Sequence, residues 1–270
     1  MNFRLFLNAL LCCLLLHAAP ARADSTSVYL EDMTSAEVAA ALRTGSTTII
    51  IPVGGTEQNG PHMALGKHNA RARILSGRIA LSLGKTLVAP VLAYVPEGNI
   101  NPPTEHMRFA GTISVPEAAW RSVIEAAAGG FRQHGFRDIV LLGDSGNYQA
   151  ALQAIATRLN QQWRSSGARV HYVAAYYRAT QTTYVAALRA RGITPAQIGT
   201  HAATADTALM LALDPTLVRG NLLAEAARQG KSGGTGGDPQ AATAELGQLG
   251  VDAIITQTTQ AIRAALSSAR

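Results

Sequence analysis

The sequence predicts an α/β fold, a three-layer αβα sandwich around a mostly parallel central sheet, and three observations carry that expectation. Two uninterrupted apolar runs, Ile49-Ile50-Ile51-Pro52-Val53 and Ile139-Val140-Leu141-Leu142, read as strands buried on both faces. Each run gives way to polar residues, reaching Glu57 in the first case and Asp144-Ser145-Gly146-Asn147 in the second. The carboxyl ends of parallel strands are where such sheets place their ligands. Strand-like and helix-like segments alternate without an internal repeat, as expected when helices cover both faces of one sheet.

The elements follow in order. Thr34 with Glu37 forms a capping box for a helix running to about Arg43, stopped by Gly45. The first buried strand and its loop come next. Ala70 to Leu83 has helical apolar spacing and Gly84 as its stop. Thr86 to Val95 reads as a second strand disturbed by Pro90. A long loop from Pro96 to Pro103 leads to His106, and Gly111 to Val115 is short and extended. Pro116 opens a helix that continues to about His134.

After the strand ending at Gly143, a helix is expected from about Tyr148 to Arg164, then a strand from Arg169 to Tyr177 and a helix from Thr182 to Arg191. The loop Gly199-Thr200-His201 precedes an Ala/Leu/Met-rich helix to Leu213. Lys231 to Pro239, rich in Gly, Ser and Thr, reads as a flexible loop, and a final helix starts near Gln240.

Residues 1–23 are expected to be a secretory signal peptide. Arg4 precedes an apolar run from Leu5 to Leu16, and Ala21-Arg22-Ala23 offers small residues for cleavage ahead of Asp24. The run is too short to remain as a membrane anchor, so the expected location is periplasmic or secreted, with no membrane attachment after signal removal. Residues 24–270 then form a single domain. Both cysteines, Cys12 and Cys13, leave with the signal, which excludes disulfides, thiolate nucleophiles and cysteine-held zinc from the mature chain. Loss of Arg4 and Arg22 takes the net charge from +6 to about +4. The arginines are spread out with no dense basic tract carrying aromatics, so nucleic-acid binding is not expected.

Four loops carry the candidate chemistry: Glu57, His62 and His68; Asp144 with Ser145; Glu97 and His106; His201 and Asp206. Carboxylate and imidazole suit zinc, manganese or iron where sulfur is absent, and a metal there would acidify a bound water and polarise a carbonyl. Each residue also has a plainer reading. Asp144 can cap the following helix, His106 can cap or hydrogen-bond locally, and Lys67 can be a solvated lysine.

The residues Pro52-Val53-Gly54-Gly55-Thr56-Glu57-Gln58-Asn59-Gly60-Pro61-His62 resemble the P-x-G-S-x-E-Q-H-G-P-H segment of the creatininase (creatinine amidohydrolase) family. His106 to Ser114, Gly143 to Asn147, His201 to Thr207 and Gly237 to Gly247 match further motifs of that family in order. The resemblance implies an αβα fold, a dinuclear zinc or manganese site, hydrolysis of cyclic or linear amides, and assembly into a homo-oligomer. It also locates departures. Asn59 replaces a histidine ligand, His68 stands for the aspartate that bridges both metals, Asp144 stands for a histidine ligand, and Gly146 replaces a carboxylate. An imidazole nitrogen has one lone pair and cannot bridge two ions.

The resemblance therefore implies one divalent ion per chain, Zn or Mn, held by Glu57, His68 and Asp144. His201 is the expected general acid, with Asp206 orienting it or a ligand water, and Glu97, His62 and Ser145 are expected to meet a small-molecule substrate. A lactone is as suitable a substrate as an amide, and creatinine itself is disfavoured. The competing expectation is a non-catalytic periplasmic binding or assembly protein that retains the fold.

Overall fold

The computed structural model describes residues 27–268, so the expected signal peptide lies outside the described residues. In chain order these contain α1 (Ser35–Arg43), β1 (Thr48–Val53), α2 (Lys67–Leu83), β2 (Thr86–Val88), α3 (Glu117–Gln133), β3 (Asp138–Gly143) and α4 (Gln149–Gln162). There follow β4 (Arg169–Tyr172), α5 (Ala175–Gln181), α6 (Thr183–Ala190), α7 (Pro195–Ile198), α8 (Thr204–Leu213), α9 (Leu223–Gln229) and α10 (Ala244–Ser268). The four strands form one parallel sheet in the order β2-β1-β3-β4.

Alternation along β1 divides the core into two layers, because successive side chains leave opposite faces of a strand. Ile49, Ile51 and Val53 pack with Trp120 and Ile124 of α3 and with Leu152 and Ile155 of α4. Ile50, with Val140 and Leu142 of β3, packs against Leu75 and Ile79 of α2, Tyr176 of α5 and Val251 and Ile254 of α10. Helices thus cover both faces, as the sequence predicts. Every residue of β1 is buried. Pro52 is tolerated in this central strand because β2 has already ended at Val88, opposite Ile50. On that side Pro52 need only accept, and its carbonyl takes the Leu92 N–H at 3.0 Å.

The α1 capping box forms as expected, and Gly45 takes φ +95 just beyond the helix. The last helix starts at Ala244 rather than near Gln240, and four further differences from expectation bear on the site. The helix after β1 begins at Lys67 rather than Ala70, which moves His68 from a loop onto a helix. Pro90 ends β2 at Val88, leaving only isolated bridges at Leu92 and Val95. β4 stops at Tyr172, and Tyr176 belongs to α5. Lys231 to Pro239 is a packed segment rather than a loose loop. Gly236 N–H donates to the His201 carbonyl at 2.7 Å, Thr200 N–H donates to the Gly236 carbonyl at 2.8 Å, and Thr235 is buried. Among the described residues no helix is long and apolar enough to cross a membrane.

Candidate active site

β1 and β3 end in register, with Val53 opposite Gly143, so their loops leave the same edge of the sheet. The first loop turns sharply at Gly55, whose φ is +150 and whose added Cβ would lie 2.7 Å from Glu97 Oε1. Asn69 of α2 pins this turn, accepting from Gly55 N–H at 2.9 Å and donating to Thr56 Oγ1 at 3.1 Å. Asn59 folds back into its own loop, its Nδ2 donating to the carbonyls of Glu57 (2.9 Å) and Ala64 (3.0 Å). These ties carry Glu57 into the interior at 1 % exposure.

One side of Glu57 meets the first turns of α2. Lys67 and Arg71, four residues apart and therefore on one helix face, flank His68, and all three are buried. His68 lies between two carboxylates, with Nε2 donating to Glu57 Oε1 at 2.8 Å and Nδ1 donating to Asp144 Oδ2 at 2.6 Å. Arg71 Nε donates to Asp144 Oδ2 at 2.7 Å and its Nη1 to Asp206 Oδ1 at 2.8 Å. Lys67 Nζ donates to Asp206 Oδ2 at 3.1 Å and stands 3.5 Å from Glu57 Oε1. Tyr176 Oη donates to Asp144 Oδ1 at 2.7 Å, and Ala202 N–H donates to Asp206 Oδ2 at 3.0 Å.

The other side of Glu57 meets two imidazoles. His106 Nε2 is 3.3 Å from Glu57 Oε2, and His201 Nδ1 is 3.6 Å from Glu57 Oε1. The two rings lie 4.6 Å apart between centroids. His201 Nε2 donates to the Gln58 carbonyl at 2.9 Å, which leaves Nδ1 with its lone pair toward Glu57. Gln58 Oε1 accepts from Gly60 N–H at 3.1 Å, so its Nε2 donates to His106 Nδ1 at 3.1 Å.

Burial and charge separate these groups. Glu57 and Asp206 are held well below the usual carboxylate range. Burial opposes this, but the charges of His68 and Lys67 on Glu57, and of Lys67 and Arg71 on Asp206, prevail. His68 is raised by Glu57 against the opposing effect of burial. Burial, reinforced by Lys67, lowers His201 to about 3, and burial also lowers His106, so both rings are neutral near pH 7. Burial and the adjacent Glu57 push Glu97 up to about 8, keeping it protonated at neutral pH. The centre opens into a cavity of about 370 Å³ walled by Ser145, Asn147, Tyr177, Thr180, Gln181 and Thr200. His106 and His201 also face a second cavity of about 670 Å³ on their far side.

The expected site residues are therefore only partly brought together as expected. Glu57, His68 and Asp144 meet, but both nitrogens of His68 are spent on carboxylates, so no lone pair is left for an ion. His201 lies at the centre. Asp206 does not orient it, being instead held by Lys67, Arg71 and the Ala202 amide. Ser145 lines the cavity. Glu97 is buried beside Glu57, and its nearest cavity-wall contact is Asn147 Nδ2 at 3.4 Å. His62 is buried away from the cavity, bonded through Nε2 to Thr207 Oγ1 at 3.0 Å, and burial lowers it to about 4.

Sequence reasoning missed Lys67 and Arg71, whose signal was an i, i+4 basic pair beside His68, and it read His106 as a local hydrogen-bonder. The donor set for an ion can be read from the oxygens. Five carboxylate oxygens, Glu57 Oε1, both of Asp144 and both of Asp206, are occupied by donors of this chain. Glu57 Oε2 is left facing His106. Glu57, His106 and His201 offer ligand atoms within 4.8 Å of one another, and a carboxylate with two imidazoles is a zinc-hydrolase donor set.

Residues 31–262 match the family model described as creatinine amidohydrolase. The chain is similar to a 3-dehydro-scyllo-inosose hydrolase of Thermotoga maritima, 31% identical over 45% of this chain and 37% of that protein. It is also similar to a mycofactocin precursor peptide peptidase of Mycolicibacterium smegmatis, 30% identical over 44% of this chain and 47% of that protein. The matched segment thus spans less than half the length of either relative. Among solved structures, a mutant creatininase described as Zn-Zn type superposes with a TM-score of 0.73 at 22% identity, covering 89% of this chain and 99% of that one. A manganese form of creatininase gives a TM-score of 0.71 at 23% identity, covering 88% and 98%. With a family model matched across nearly all the described residues and the same fold throughout, this chain belongs to the creatininase (creatinine amidohydrolase) family.

Proposed function

We propose that the chain is a hydrolase that opens a cyclic or linear amide, or a lactone, of a small polar molecule, using one divalent ion, Zn or Mn, on Glu57, His106 and His201. One observation carries the reading. Among the oxygens of Glu57, Asp144 and Asp206, Glu57 Oε2 is the one that no lysine, arginine or His68 occupies; it lies 3.3 Å from His106 Nε2, and the neutral His201 stands 3.6 Å from Oε1 of the same carboxylate. When bound, the ion would supply Lewis acidity toward a carbonyl oxygen and make a bound water acidic.

The chain's own residues prepare that chemistry. Gln58 fixes the ring faces of His106 and His201, its carbonyl taking the His201 proton and its amide donating to His106. Ligation through His106 Nε2 requires its proton to sit on Nδ1, so the Gln58 amide must then turn its oxygen toward that nitrogen. Glu97 keeps a proton beside Glu57, which limits that pair to one negative charge near pH 7. Ser145, Asn147, Thr180, Gln181 and Thr200 offer uncharged hydrogen-bonding groups, which suits a small polar substrate. A periplasmic or secreted location and a homo-oligomeric state belong to the same proposal. The amino-terminal segment supports the first and the family resemblance supports the second.

The test pairs metal analysis with a panel of small amides and lactones. One tightly bound ion and turnover that H201A abolishes are expected. Turnover unchanged after complete metal removal would contradict the reading. The saturation of Asp144 and Asp206 favours a second reading, a non-catalytic binding protein. Ligand retention without turnover of any panel member, in protein free of metal, supports that reading instead.

A further inference from the structure

We infer that Lys67, His68 and Arg71 stand in permanently for a metal ion. Their N–H donors occupy oxygens of Glu57, Asp144 and Asp206 and tie the three carboxylates together, so this half of the centre is assembled by the chain itself. The inference extends the one-ion reading above but does not depend on the chain being catalytic.

Three buried or half-buried carboxylates within one cluster repel one another and need compensating positive charge. Here the chain supplies it from a single helical turn. The His68 ring faces carboxylate oxygens with both nitrogens, which makes it a double donor. Arg71 uses Nε on Asp144, Nη1 on Asp206 and Nη2 on the Asp144 carbonyl at 3.3 Å. Every nitrogen of the guanidinium is thereby engaged with Asp144 or Asp206, which fixes the group between these two carboxylates.

Two further positions close the space in which an ion might sit. A Cβ built on Gly146 would lie 2.7 Å from Tyr177 Oη, so the tyrosine occupies the place where a side chain from that loop would project. Asn59, beside Glu57 in the chain, turns its amide into its own loop and offers nothing to the cavity. Neither position supplies a ligand for a second ion. The cations that replace it are covalently fixed and cannot be removed by a chelator.

The experiment titrates Zn²⁺ into the chelator-treated full chain and reads ions per chain by elemental analysis, with thermal unfolding alongside. Zero or one ion is expected. Zero upholds this inference and removes the one-ion reading, one upholds both, and two tightly bound ions overturn the inference. The variant H68D exchanges a cation for a carboxylate. It should bind one more Zn²⁺ than the parent, and saturating Zn²⁺ should raise its Tm by about 5 °C or more over its metal-free form. Equal stoichiometry in parent and H68D would contradict the replacement. Should H68D fail to fold, the parent's ion count alone decides.

Discussion

The two sides of Glu57 are built on opposite principles. Toward α2, Oε1 meets His68 and Lys67 in a buried network where each oxygen has a donor from the chain. Toward the cavity, Oε2 meets His106 and the same carboxylate faces His201 through Oε1; both rings are neutral, half-buried and in reach of a ligand from two cavities. The first side resembles a buried ion-pair core, strongly destabilised by loss of one partner. The second resembles a ligand site, where His201 Nδ1 keeps its lone pair toward Glu57 and His106 Nε2 gains one when Gln58 turns its amide. Stability should therefore concentrate on the α2 side and binding on the imidazole side.

The largest effect expected is from Arg71→Met, which strands Asp144 and Asp206. Unfolding free energy by denaturant titration should fall by about 3–5 kcal/mol, and a loss no greater than that of an exposed arginine would break the comparison. On the other side, His106→Ala should cost only about 1 kcal/mol of stability while weakening Zn²⁺ affinity by on the order of 100-fold. Calorimetric titration beside denaturation separates the two quantities. A large stability loss with unchanged metal affinity would reverse the assignment.

A smaller effect concerns pH. Glu97 titrates near 8 in the folded chain, well above an unfolded glutamate. Between the unfolded value and about 8 the folded state holds the extra proton, so this group's contribution to stability declines as pH rises through that window. Glu97→Gln should remove the decline and make the variant more stable than the parent at pH 8 than it is at pH 5. An identical pH profile for the two proteins would show that Glu97 is not protonated beside Glu57. Smallest of all, Ser145→Ala on the cavity wall should change stability by less than about 0.5 kcal/mol and show itself in KM rather than kcat.

The fold was legible because its signals are local and strong. The β1 and β3 runs could only be doubly buried strands, and the Thr34–Glu37 box fixed a helix start that the structure reproduces. Glu57 and Asp144 were legible because they follow those strands on one sheet edge. The start of α2 was not, since Gly66 caps it without any side-chain hydrogen bond and no Ser, Thr, Asp or Asn marks the boundary. That three-residue error hid the site's character, because it left Lys67 and His68 in a loop and Lys67 apparently solvated.

Long cationic side chains are read as surface residues unless their partners are known, and here the partners come from three distant loops. Tyr176 continued the apolar alternation of β4, so the strand seemed longer than the helix that replaces it. The glycines near Thr235 reflect close approach to the His201 loop rather than looseness. Gly234 adopts φ +84, and a Cβ on Gly236 would lie 2.7 Å from Thr200 Oγ1.

The most direct measurement is a crystal structure of zinc-soaked protein with data at the zinc absorption edge. A single anomalous peak within about 2.0–2.2 Å of Glu57 Oε2 and of one nitrogen each on His106 and His201 is the predicted result, with Lys67 and Arg71 still on Asp206. A peak between Asp144 and Asp206, with Lys67 or Arg71 displaced, would contradict the account.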